Sequence, residues 1–122
     1  MPIQKLMMET SPVMRLIVTD PWSLKEMWDA LRDVHTMLDN QPNKVHLFFD
    51  LSKAKSMPLD MVSIARRPDI GHPKTDQLVF LGAGMMTRMM ISGLARAQRA
   101  TNVHFFDREG DALAFLAKLP SA

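Results

Sequence analysis

With 122 residues and 13.8 kDa the chain has the size of one domain. Hydrophobic residues at 47% and charged residues at 23% exclude disorder and collagen-like structure. The absence of cysteine excludes disulfides, thiolate metal sites and cysteine nucleophiles, and a net charge of +2 falls short of a nucleic-acid footprint. No apolar run approaches the roughly 20 residues that cross a bilayer. Met1–Met8 carries one lysine and then turns amphipathic, unlike a secretory signal, so the cytoplasm is the expected compartment.

Two strand-like runs open the chain, Ile3–Glu9 and Val13–Thr19. The polar, proline-bearing turn Thr10-Ser11-Pro12 between them predicts a hairpin. Asp20-Pro21 is a helix-start signal, and Ser23 followed by Glu26 has the spacing of a capping box. Leu24, Met27, Trp28, Leu31, Val34 and Leu38 then recur at helical spacing, with Lys25, Asp29, Arg32, Asp33 and Thr36 opposite. This predicts an amphipathic helix ending near Asn40-Gln41-Pro42.

Val45–Phe49, Leu78–Leu81 and Val103–Phe106 are short, nearly continuous apolar runs that end at Asp50, Gly82 and Asp107. Such runs suit strands buried on both faces, as in parallel sheets, with Leu78–Leu81 in the middle. Helical patterns lie between and after them: a weaker one at Pro58–Arg66, a long one at Met85–Arg99 and a last one at Asp111–Leu119. Arg67–Asp76, with two prolines and a glycine, is the most irregular stretch. No composition break divides the chain. The expectation is one α/β domain, a hairpin followed by β-α units in a mixed, mostly parallel five-stranded sheet.

This element order, with Phe49-Asp50-Leu51-Ser52 at the end of a strand, resembles the STAS or SpoIIAA-like family of anti-sigma-factor antagonists and sulphate-transporter cytoplasmic domains. The resemblance implies a small non-catalytic regulatory or partner-binding domain, with a nucleotide or lipid ligand in some relatives. Family members carry Asp-Ser-Ser-Gly shortly after that strand, and a partner kinase phosphorylates its serine. Here the stretch reads Pro58-Leu59-Asp60-Met61, so the phosphate acceptor is missing and Asp60 places a permanent charge in the first turn. The expectation is a constitutive binder without a serine switch, although Ser52, Ser56 and Ser63 lie nearby.

Gly82-Ala83-Gly84 follows a strand and opens a helix, and Asp107 ends the next strand 23 residues after Gly84. That is the outline of a dinucleotide fingerprint. Thr87 occupies the third glycine position, however, and 15 residues follow Asp107, too few for the remaining strands. A tight turn or a simple anion site is the better reading. Arg88, Ser92, Arg96 and Arg99 follow one another along the next helix, which has no acid from Met85 to Ala100. Such a stripe is either a phosphate-binding surface or a solvated outer face, and no interleaved aromatic supports single-strand stacking.

Methionine occurs twelve times, clustered at Met85, Met86, Met89 and Met90. Positions 86, 90, 93, 94 and 97 describe a core face in period, leaving Met85 and Met89 for an adaptable interface. The four histidines show no metal-ligand spacing. His46 and His104, two strands apart, would stand about 9–10 Å from each other. No metal and no cofactor is therefore expected.

The ligand- or partner-binding candidates are Asp50, Ser52, Asp60, Gly82, Gly84, Arg88 and Asp107, with Asp20 nearby. Two rivals to the interaction domain stand beside it. One is a small-ligand or lipid carrier with an apolar pocket beneath Pro58–Asp76. The other is an enzyme using Asp50 and Asp107 as paired carboxylates. Sequential strand connections would gather most helices on one face and expose Phe48 and Phe106 on the other, which predicts a homodimer.

Overall fold

A computed structural model describes residues 3–7, 13–54 and 72–119. The strands are β1 (Ile3–Met7), β2 (Val13–Thr19), β3 (Val45–Lys53), β4 (Thr75–Leu81) and β5 (Val103–Phe106). The helices are α1 (Leu24–Leu38), α2 (Met85–Ala97) and α3 (Glu109–Lys118). The fold is α/β, as expected. Strands β2, β3, β4 and β5 lie side by side in chain order and are parallel throughout, while β1 runs antiparallel along β2. The three apolar runs are thus parallel neighbours with β4 between β3 and β5, and α2 returns the chain from β4 to the same starting edge for β5.

Helix α1 begins as its capping residues dictate. The Glu26 backbone N–H donates to Ser23 Oγ at 3.1 Å, and the Ser23 hydroxyl donates to Glu26 Oε1 at 3.0 Å. Its stripe of Leu24, Met27, Ala30, Leu31, Val34 and Leu38 is buried on one face of the sheet. There it meets Leu16, Val18, Leu47, Phe49, Leu78 and Phe80 in the larger core, to which α2 adds Leu94 and Ala95. Phe49, Phe80 and Phe105 stack across three adjacent strands, with centroids 4.7 and 5.5 Å apart.

Helix α3 crosses to the other face. Ala112 and Leu116 form a second core there with Val13, Phe48, Val79 and Leu81, and Phe106 packs beside them. This corrects the expectation of an open apolar face. Phe48 is 0% exposed, and the Phe106 ring stands 5.4 Å from Phe115 of α3. The surface that motivated a homodimer is covered by the chain itself.

Several boundaries move for local reasons. Strand β3 continues through Asp50 to Lys53, since the carboxylate is satisfied within the sheet. Helix α2 stops at Ala97 because Arg99 turns left-handed at φ 55°. The Arg99 N–H then donates to the Arg96 carbonyl and the Ala100 N–H to the Ala95 carbonyl, a Schellman closure. Helix α3 starts two residues earlier than its sequence pattern suggests. The phase of α2 also differs: Thr87, Leu94 and Ala95 are its buried residues, and Met86 is 57% exposed. The helix expected at Pro58–Arg66 lies outside the described residues.

Candidate functional site

The carboxyl ends of the parallel strands share one edge, where α/β domains place their ligands. Three of the sequence candidates meet there. The Asp50 side chain projects to the α3 face and is 6% exposed. Ser52 donates to its Oδ1 twice, from the backbone N–H at 3.0 Å and from the hydroxyl at 2.5 Å. Gly82 ends β4 against the same stretch, and a Cβ there would lie 2.9 Å from Ser52 Cα. Its φ of 73° suits glycine alone, and its N–H donates to the Phe106 carbonyl at 2.9 Å, joining three strand ends.

The centre of this arrangement is a residue that sequence reasoning passed over. Arg15, on β2, reaches Asp50 Oδ2 at 2.6 Å and Glu109 Oε1 at 2.6 Å, while its guanidinium stands 4.8 Å from the centre of the Phe48 ring. It ties β2, β3 and α3 together. The available signal was a lone arginine inside the apolar strand Val13–Thr19, which needs a partner wherever that strand is covered. Burial by itself would raise the Asp50 pKa, but the hydrogen bonds from Ser52 and Arg15, with the arginine's charge, hold it below the ordinary carboxylate value. Burial opposes the charge on Arg15 too, and its two carboxylate partners outweigh this and raise its pKa.

An acid held ionised and hydrogen-bonded in this way braces the sheet edge; it is poorly placed to exchange protons. Asp107, its proposed partner in catalysis, is exposed beyond β5. Gly84 caps α2 without a side-chain bond and has open space where a Cβ would stand. Arg88 lies on the opposite side of the sheet from Asp50, its guanidinium 4.7 Å from the centre of the Phe105 ring. Asp60, and with it the stretch where the serine switch would lie, falls outside the described residues.

His46 and His104 are held by the fold. His46 is 2% exposed and accepts the Gln77 N–H at Nδ1, 3.3 Å away. Burial lowers its pKa, with Asp76 opposing the shift, so the ring is neutral at pH 7. His104 is 2.7 Å from Gln77 Oε1 through Nε2, and its ring packs on Phe115. Among the described residues no group of three or more histidine or acidic side chains is arranged to hold a metal ion.

Two other features lie on the α1–α2 side. A wholly apolar cavity of about 40 Å³ sits between the helices and the sheet, bounded by Trp22, Met27, Trp28, Phe49, Phe80 and Met90. The second is an open groove along the outer face of α2, lined by Met85, Arg88, Met89, Ser92, Gly93 and Arg96. Met85, Met86 and Met89 are 79%, 57% and 62% exposed. Among the described residues no helix is long and apolar enough to cross a membrane. No family model matches the chain, and no curated protein does so either.

Proposed function

We propose that this chain is a non-catalytic regulatory domain of the SpoIIAA-like kind, acting in the cytoplasm by binding a protein partner through α2 without a serine switch. The observation that carries this reading is the methionine face of α2. Three large apolar side chains stand in solvent beside Arg88 at the carboxyl edge of the sheet, where flexible thioethers can repack against a partner. The element order, a parallel sheet whose strands succeed one another in sequence, agrees with the resemblance. Engagement of Asp50 by Arg15 and Ser52 favours binding over acid–base chemistry.

The carrier reading has less support. The segment Pro58–Asp76, beneath which its pocket was expected, lies mostly outside the described residues. The cavity between α1, α2 and the sheet, at about 40 Å³, is far below the roughly 150 Å³ that a benzene-sized guest occupies in a protein core. The test of the interaction reading is a photo-crosslinking residue introduced in the native cell at Met89, with Arg32 on the exposed face of α1 as control. A discrete protein adduct at position 89 alone is expected. Equal adducts at both positions, or none at 89, would overturn the proposal.

A further inference from the structure

The outer face of α2 has a spacing as well as a composition. Met85, Met89, Ser92 and Arg96 are separated by four, three and four residues. That is the d-a-d-a succession of a helix–helix seam, over about 20 Å of a 13-residue helix. Two side chains at one end of the seam are long and apolar. Between them and Arg96, Ser92 and Gly93 are small, and nothing lies within 4 Å of where a Gly93 Cβ would stand. The seam therefore has a notch in which a second helix can approach closely, next to two methionines that can grip it.

Its charge is of one sign, on the seam at Arg96 and beside it at Arg88. Arg88, Arg96 and Arg99 are exposed, and no acid occurs from Met85 to Ala100. A second copy of α2 laid on this seam would set arginines against arginines, which argues against self-pairing. A helix with apolar residues at its own a and d positions and Glu or Asp at e and g would pair with the arginines. Arg88, resting on the Phe105 ring, is already held in place for such a pair.

We infer that the α2 seam docks one amphipathic helix of a partner protein, with acidic residues beside its apolar stripe where it meets Arg88 and Arg96. This rests on the interaction reading above and names the chemistry of its partner. The probe is a two-heptad-or-longer synthetic helix with Leu at a and d and Glu at e and g. A sibling peptide with Lys at e and g serves as control, and both are titrated against methyl-labelled protein. The Glu peptide is expected to shift the Met85 and Met89 methyl resonances and to bind at least about tenfold more tightly than the Lys peptide.

Gly93→Gln, which fills the notch on an exposed helix face, should weaken the Glu peptide by about tenfold or more without lowering the melting temperature. Methyl shifts with the Lys peptide equal to those with the Glu peptide would overturn the inference. So would perturbation of the same methyls by vesicles containing anionic phospholipid when the Glu peptide leaves them unmoved. An intact Met89 crosslink in cells combined with no Glu-peptide binding would overturn the acidic helix alone and leave the broader interaction reading standing.

Discussion

Arg15 and Asp50 face each other on adjacent parallel strands, guanidinium to carboxylate at 2.6 Å, with the aspartate side chain 6% exposed. The aspartate's charge depends on Arg15 and Ser52, whereas Arg15 has Glu109 as a second partner. Asp50→Asn is expected to destabilise the protein by about 2 kcal/mol, below the 3–5 kcal/mol of a fully buried pair because Arg15 keeps Glu109 and is partly solvated. The effect has a pH signature. The folded-state pKa of Asp50 is lowered, so its contribution is complete above the unfolded value near 3.9 and is lost as pH falls through the folded value. Urea denaturation should therefore show a gap between wild type and Asp50→Asn at pH 7 that narrows below about pH 4.

His46 provides a second pH-dependent term in a different window. Its lowered pKa means that the unfolded chain takes up a proton first as pH falls below about 6.5. Stability contributed by His46 is thus present above that value and declines on acidification toward the folded pKa. An NMR titration should find the His46 ring protonating at lower pH than an ordinary histidine.

Gly82 and Gly84 flank one alanine and should respond oppositely to substitution. Gly82→Ala would put a methyl 2.9 Å from Ser52 Cα in a left-handed conformation, at a cost of about 2–3 kcal/mol and about 10 °C in melting temperature. Gly84→Ser has open space and supplies the hydroxyl that α2 lacks at its amino end, so it should stabilise by about 0.5 kcal/mol. Thermal melts of the two variants check both signs.

Arg99 holds a positive φ that glycine adopts without strain. Arg99→Gly should raise stability by about 1 kcal/mol while preserving the closure through the Arg96 and Ala95 carbonyls. A melting temperature equal to or below wild type would contradict this account of how α2 ends.

Phe48 and Met86 test which apolar residues are core. Phe48→Ala removes a ring buried beneath α3 and should cost about 3–5 kcal/mol in chemical denaturation. Met86→Ala, on the exposed side of α2, should fall within about 0.5 kcal/mol of wild type.

Local features are legible in the chain because their causes are local. The spacing of Leu24 to Leu38 and the Ser23–Glu26 pair specified α1, and the apolar runs at Val45, Leu78 and Val103 specified parallel strands. Gly82 marks a real turn, and of Asp50, Ser52 and Asp107, expected together at the strand carboxyl ends, Asp50 and Ser52 are hydrogen-bonded to each other while Asp107 is exposed. Which side of the sheet α3 covers is set only when the elements pack. A helix's period records that it has an apolar face but not which sheet face it meets, so Phe48 and Phe106 read as exposed until α3 was in place. The same holds for the phase of α2, where both Met86 and Thr87 lie on plausible stripes and contact with the sheet selects Thr87. Arg15 was hidden for a related reason: its partners Asp50 and Glu109 are 35 and 94 residues away, and only the sheet and α3 bring the three charges together.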